Sequence, residues 1–156
     1  MEPTWHSALL LFTIITAGIN CGAFFAFSNF VMPPFGHLAP AEGARAMQAI
    51  NRAAPNPAFM TALMGGALGG VVVAVTASGF DGGGWRIAGG LLALATAAIT
   101  AVYHVPRNNA LDKADADSEA GQAYWARYRV TWTRGNHLRA ITSALSLLCL
   151  ALAAAA

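Results

Sequence analysis

Long apolar runs alternate with shorter polar segments along this chain. Four runs, at about 7–31, 58–80, 86–103 and 138–156, approach the roughly 20 apolar residues that a helix needs to cross a bilayer. Because backbone groups in hydrocarbon must be satisfied within the segment itself, each run predicts a helix. The pattern therefore predicts an all-α fold, an integral membrane four-helix bundle that forms one domain over residues 1–156.

The two longer polar segments have helical patterns of their own. Residues 41–52 place apolar side chains on one face, and residues 117–132 repeat aromatic side chains at intervals of three and four. We expect interfacial helices in the loop between spans 1 and 2 and in the loop between spans 3 and 4. The second of these helices is able to continue into the fourth span.

Prolines and glycines mark the ends of the predicted helices. Since proline lacks an amide hydrogen and clashes with the preceding turn, we expect the first helix to end at Pro33 and Pro34 and the third to end at Pro106. Asn56 is placed to cap the second span. Glycine pairs at four-residue spacing indicate close helix packing in a compact bundle, and they are also compatible with a homo-oligomer.

Composition and charge agree with a bilayer location. Only 10% of the residues are charged and 56% are hydrophobic, whereas soluble domains have about 25% charged residues. A net charge of +2, with acidic residues interrupting the basic ones, excludes a nucleic-acid-binding surface. Nearly all Arg and Lys residues fall in the two long loops, so the positive-inside rule predicts that both loops are cytoplasmic and both termini are outside.

Polar residues gather where the spans meet these two loops. The four-span topology brings that end of every span to one membrane face, and polar side chains at such a boundary usually have partners or functions. The candidate site residues on this face are Asn29, Gln48, Asn51, His104, Asn108, Trp132, Asn136, His137 and Arg139.

His104 is the leading candidate for chemistry, because an imidazole at the hydrocarbon boundary can serve as a base near neutral pH. The alternative is an interfacial histidine that hydrogen-bonds a neighbouring helix. His137 has the same two interpretations, and the two histidines together are the candidate ligands if a metal ion is bound. The chain lacks the paired-cysteine and HxxxH spacings of metal sites, so no metal is predicted.

The aromatic residues also have two interpretations. Tyr124, Trp125, Tyr128 and Trp132 suit the aromatic belt of a membrane interface, which is the expectation for at least two of them. Beside Asn and Arg donors, they also suit the walls of a site for a flat, hydrophobic, oxygenated ligand.

Four segments resemble the membrane family that includes the fungal anthrone oxygenases. They are SNFVMP at 28–33, MQAINR at 47–52, HVPRNNAL at 104–111, and the pattern W-x-x-Y-x-x-x-W-x-x-x-N-H-x-R at 125–139. The resemblance covers most of the chain.

This resemblance implies oxidation of a hydrophobic polycyclic anthrone with O2, without flavin or haem. We expect His104 to act as the base, Asn108 and Asn136 to donate to the developing oxyanion, and Arg139 to stabilise it electrostatically. Substrate contacts are expected from Asn29, Gln48, Asn51, Trp125, Tyr128 and Trp132. Two alternatives stay open: a non-catalytic bundle that binds a lipid or quinone, and a metal-dependent oxidase that uses His104 and His137.

Overall fold

The computed structural model describes residues 4–156, and in that range the chain forms helices and no strands. Four of the helices are long and apolar enough to cross a membrane, and a shorter one lies in the first long loop. The expected all-α membrane bundle is confirmed. In chain order the helices are α1 (Thr4–Phe35), α2 (Pro40–Ala53), α3 (Pro57–Val75), α4 (Gly83–Asp112) and α5 (Glu119–Ala155).

The four long helices pack in a ring in which α1 contacts α3 and α5, and α4 contacts the same two helices. Glycines let the α3–α4 pair approach closely, because a Cβ on Gly90 would lie 2.1 Å from the carbonyl oxygen of Gly70. On the other side of α3, a Cβ on Gly66 would lie 2.7 Å from Thr16 Oγ1. The turn between α3 and α4 contains two glycines with positive φ, Gly79 and Gly82.

Large apolar side chains cover the outside of the ring, whereas much of its interior is polar. Leucines such as Leu68 and Leu91 are more than half exposed, as lipid-facing residues would be. Inside the ring, α1, α4 and α5 bury a series of hydroxyl and amide side chains. This series consists of Thr13, Thr16, Asn20, Thr96, Thr142, Ser143 and Ser146.

Pro106 does not end its helix, contrary to expectation, whereas α1 ends at Phe35, directly after Pro33 and Pro34. Both proline sites are preceded by a π-helical turn, Phe27–Val31 in α1 and Thr100–His104 in α4. In the second of these turns the Val105 amide donates to the Thr100 carbonyl, five residues back. This wider turn removes the regular bond that a proline would break, so α4 continues through Pro106 to Asp112.

The loop end of the bundle is built from α2 and from the extensions of α4 and α5. The helix expected in the loop between spans 3 and 4 is the first part of α5, which runs unbroken from Glu119 and is capped by Ser118. Asn56 caps α3 as expected, since its side chain accepts a hydrogen bond from Phe59 N at 3.0 Å. Ion pairs from Arg45 to Asp117 and from Arg52 to Asp112 tie α2 to the loop between α4 and α5 and to the end of α4.

Candidate functional site

A group of polar and aromatic side chains is buried where the π-helical turns of α1 and α4 meet α5. We call it the loop-end cluster. Three helices supply it, because α4 brings its residues from one side, α5 crosses the middle, and α1 closes the other side through Phe24 and Ser28. The cluster consists of His104, Asn108, Tyr128, Trp132, Asn136 and Arg139.

His104 ends the π-helical turn of α4 and is completely buried. Its Nδ1 lies 3.4 Å from the Ile99 carbonyl oxygen, and its Nε2 lies 3.4 Å from the Trp132 carbonyl oxygen. The Trp132 ring meets the imidazole edge-on, with centroids 5.3 Å apart. A neutral imidazole has one N–H, so in either tautomer one nitrogen keeps a lone pair that can accept a proton.

Asn136 links α1 to α5 in the middle of the cluster. Its Nδ2 donates to the Phe24 carbonyl oxygen at 2.6 Å and to Ser28 Oγ at 2.8 Å. Its Oδ1 accepts a hydrogen bond from Arg139 Nη2 at 2.6 Å. Both amide hydrogens are therefore committed inside the protein, so in this geometry Asn136 positions Arg139 and has no hydrogen left for the oxyanion that we expected it to bind.

Arg139 is a buried cation that is held without a carboxylate among residues 4–156. Its guanidinium lies 4.2 Å from the centroid of the Phe24 ring and 5.2 Å from that of Trp132, within the range of cation–π attraction. Nη1 is 3.4 Å from Thr100 Oγ1. Nε has no hydrogen-bond partner in the described part of the chain. Since an unsatisfied buried donor is costly, this N–H would bind a ligand oxygen favourably.

Asn108 fixes the aromatic side of the cluster. Its Oδ1 accepts hydrogen bonds from the Tyr128 hydroxyl at 2.8 Å and from Trp132 Nε1 at 3.0 Å. The Tyr128 hydroxyl in turn accepts from Asn51 Nδ2 at 3.3 Å. These bonds hold the Trp132 ring against His104, and they bring Asn51 of α2 to the edge of the cluster.

Two other residues that we expected to contact the substrate, Gln48 and Asn29, make hydrogen bonds outside the loop-end cluster. Gln48 donates from Nε2 to the carbonyl oxygens of Leu111 and Ala114, each at 2.9 Å, and so fastens the end of α4 to α2. Asn29 is exposed and donates to Phe25 O within its own helix, so the structure does not bring it into the cluster.

The aromatic residues of α5 do not form an interfacial belt. Trp125, Tyr128 and Trp132 are 3%, 2% and 4% exposed, and Tyr128 stacks against both tryptophans. Together with Met32 and Met47 they form the apolar core between α2 and the long helices. The belt expectation was therefore wrong for these three residues, because α2 covers the face that would otherwise meet the headgroups.

The two candidate metal ligands lie in different environments. His104 is buried, whereas His137 is exposed and borders an open groove of about 290 Å³ between α1 and α5. Within residues 4–156 no group of three or more His, Cys, Asp or Glu side chains is arranged to hold a metal ion.

Sequence reasoning missed two residues that support the cluster, Ser28 and Thr100. Each belongs to a π-helical turn and contacts Asn136 or Arg139. Small hydroxyl residues are common in membrane helices, so their type gave no signal. Two signals were available, the position of each residue five or six residues before a proline and the place of Ser28 in the SNFVMP segment at 28–33.

A family model described as anthrone oxygenase matches residues 44–149, a range that includes α3, α4 and every residue of the loop-end cluster. No curated protein matches the chain. No solved structure matches it.

Proposed function

Since the chain belongs to the anthrone oxygenase family, we propose that it is a membrane-embedded oxygenase that oxidises a hydrophobic polycyclic aromatic of the anthrone type with O2. In this reaction the ring methylene loses two hydrogens and gains one oxygen atom as a carbonyl. The second oxygen atom leaves as water, so one O2 is consumed for each quinone formed.

The unpaired Nε of Arg139 is the observation that carries this proposal. Removal of a proton from the methylene gives an enolate, whose negative charge lies largely on the oxygen of the ring ketone. A buried guanidinium whose Nε–H has no partner in the described part of the chain is suited to that oxygen, because a preorganised donor in a dry site stabilises developing charge strongly. The bond from Nη2 to Asn136 fixes the guanidinium before substrate binds.

His104 takes the proton in the proposed mechanism. It is buried beside Trp132, and one ring nitrogen has a free lone pair in either tautomer. The enolate then transfers an electron to O2, and the two radicals combine to a peroxide anion. This anion takes the proton back from His104 to become a hydroperoxide, and loss of water leaves the carbonyl. The electrons come from the substrate, so we propose that no metal or organic cofactor is needed.

Trp132 and Asn108 complete the site by positioning it. Trp132 forms an apolar wall whose orientation is set by the bond from its Nε1 to Asn108 Oδ1. We assign Asn108 and Asn136 to positioning, and Arg139 to direct contact with the oxyanion. Met32 packs in the same apolar core as Tyr128 and Trp132 and also lines the groove between α1 and α5, so we propose that substrate enters from this groove by displacing that side chain.

Oxygen uptake tests the proposal. An anthrone is added to the purified protein in detergent, with a protein-free sample for the spontaneous oxidation and a chelator-treated sample for the metal-dependent alternative. We expect O2 uptake to be faster than in the protein-free sample and unchanged by the chelator. The amount of O2 consumed should equal the amount of quinone formed. Loss of one oxyanion donor costs about 100-fold or more, so Arg139→Gln should fall close to the baseline.

The alternatives predict different results from the same samples. Uptake that chelator abolishes would favour the metal-dependent oxidase with His104 and His137. Wild-type uptake no faster than the protein-free rate would refute the oxygenase proposal, and the bundle that binds a lipid or quinone would replace it. The cytoplasmic location of the loops is tested separately, by labelling single cysteines introduced at Lys113 and at Gly84 with an impermeant reagent.

A further inference from the structure

A small cavity lies inside the bundle, more than a helical turn away from the loop-end cluster along α1 and α5. It measures about 10 Å³ and is bordered by α1, α3, α4 and α5. The side chains around it are mostly polar, although this part of the bundle is flanked by apolar layers. Its polar lining consists of Thr13, Thr16, Asn20, Thr96, Ser143 and Ser146.

The polar groups around the cavity act mainly as acceptors. Thr16 and Ser146 have already given their hydroxyl hydrogens to the carbonyl oxygens of Thr13 and Gly89, at 3.0 and 2.8 Å. A hydroxyl has one hydrogen and two lone pairs, so each of these oxygens can still accept. Thr96 likewise donates to Leu92 O at 3.0 Å.

Asn20 adds the strongest of these acceptors. Its Nδ2 donates to the Ala62 carbonyl oxygen of α3 at 2.9 Å, which fixes the amide plane. Its Oδ1 is buried and has no hydrogen-bond partner within residues 4–156, and the side chain is 5% exposed. A buried amide oxygen without a donor is costly, so a donor is expected at this place.

We propose that this cavity binds one water molecule, which donates one hydrogen bond to Asn20 Oδ1 and the other to a lining hydroxyl. The volume is close to the minimum for one water, about 10–15 Å³ by this measure, and the lining offers more than the two to four polar partners that a buried water needs. The water connects α1 to α4 or α5 through these two hydrogen bonds.

The chemistry of the lining separates water from other small occupants. O2 has no hydrogen to donate, so it would leave Asn20 Oδ1 unsatisfied. The oxygen atoms of the lining would ligate a monovalent cation, but the lining contains no carboxylate to compensate the positive charge in a low-dielectric interior. Water alone supplies two donors without a net charge.

The cavity is isolated at one end, which predicts slow exchange of this water. Leu10, Val73 and Leu150 are 3%, 0% and 0% exposed and form one contiguous apolar cluster on the side away from the long loops. A water behind this layer should stay for longer than the tumbling time of the protein.

Nuclear magnetic resonance can detect such a water in the wild-type protein. The methyl groups of Ala67 and Ala93 line the cavity, and that of Ala98 is exposed on the outer face of α4 as a control. In detergent micelles, we expect cross-relaxation from water to the Ala67 and Ala93 methyls and to the Asn20 side-chain amide, with the sign of a bound molecule. The Ala98 methyl should show contact with detergent and no bound water.

Variants and salt identify the occupant. Asn20→Leu should abolish the water signal at Ala93, and Ser143→Ala provides a second test if Asn20→Leu does not fold. Replacing NaCl with choline chloride at equal ionic strength should change nothing. Absence of the water signal in the wild type, or its persistence in Asn20→Leu, would overturn the proposal, as would a signal or stability that depends on Na⁺. None of these readouts depends on oxygenase activity.

Discussion

Asn136→Ala removes the side chain that joins α1, α5 and Arg139, and its cost can be worked out from the contacts. The wild-type amide donates to Phe24 O and Ser28 Oγ and accepts from Arg139 Nη2. Because the residue is completely buried, water cannot replace these partners. The variant removes these three hydrogen bonds and leaves a guanidinium hydrogen of Arg139 without its partner in the interior.

The expected loss of unfolding free energy is about 3 kcal/mol. Hydrogen bonds between helices in membrane proteins contribute about 0.6 kcal/mol on average, which applies to the bonds with Phe24 and Ser28. The bond from Arg139 involves a charged donor and adds about 1.5–3 kcal/mol. Since 1.36 kcal/mol is a factor of ten, the unfolding equilibrium constant should rise somewhat more than 100-fold.

Asn29→Ala provides the matched control for this prediction. Asn29 is exposed and bonds only to Phe25 O within its own helix, so its removal should cost no more than about 0.5 kcal/mol. Both variants are measured by reversible unfolding of the micellar protein with a denaturing detergent, followed by circular dichroism. If Asn136→Ala and Asn29→Ala lose the same free energy, the reasoning about the buried amide is refuted.

Two further variants test the packing and the aromatic side of the cluster. Gly90→Ala should destabilise the bundle by about 2 kcal/mol or more, a cost typical of overpacking, since its Cβ would lie 2.1 Å from Gly70 O. A Cβ on Gly84 would meet nothing within 4 Å, so Gly84→Ala should be near neutral in the same unfolding assay. Tyr128→Phe removes the 2.8 Å bond to Asn108 and should cost about 0.5–1.5 kcal/mol in unfolding free energy. Equal stabilities within the glycine pair, or an unaltered Tyr128→Phe protein, would contradict these two assignments.

The sequence predicted the spans well because their signal is simple. Apolar runs of sufficient length are visible without knowledge of packing, and all four correspond to the long helices. The end of α4 was misplaced because Pro106 has the same appearance whether it stops a helix or follows a π-helical turn. That distinction depends on the bond from Val105 N to Thr100 O, which periodicity does not reveal.

The sequence predicted that certain polar residues gather at one membrane face, but not which side of its helix each one occupies. His104, Asn108, Asn136 and Arg139 do lie together, because the topology brings the end of α4 against the middle of α5. Asn29 is also a polar residue near the loop end of its span, but its side chain is exposed on a side of α1 that faces away from the loop-end cluster. A π-helical turn rotates the side chains within it and after it around the helix axis. The hydrophobic pattern gives little information on this rotation, so it does not predict which side of the helix a polar residue occupies.

The interior hydroxyls illustrate a second limit. Thr and Ser are common in apolar spans, so their presence does not by itself predict a polar interior. The structure buries Thr16, Thr96 and Ser143 around Asn20. Buried hydroxyl side chains from several helices can be recognised as one group only when the inward faces of those helices are known.

The most direct test of the oxygenase account compares His104→Gln with His137→Gln in the anthrone-dependent oxygen-uptake assay, after both variants are shown to unfold like the wild type. His104 is buried beside Trp132, whereas His137 is exposed on the groove. The account predicts that His104→Gln loses about 100-fold or more in rate above the baseline, as for a general base, while His137→Gln retains the wild-type rate. A His104→Gln protein that consumes O2 at the wild-type rate would contradict the account.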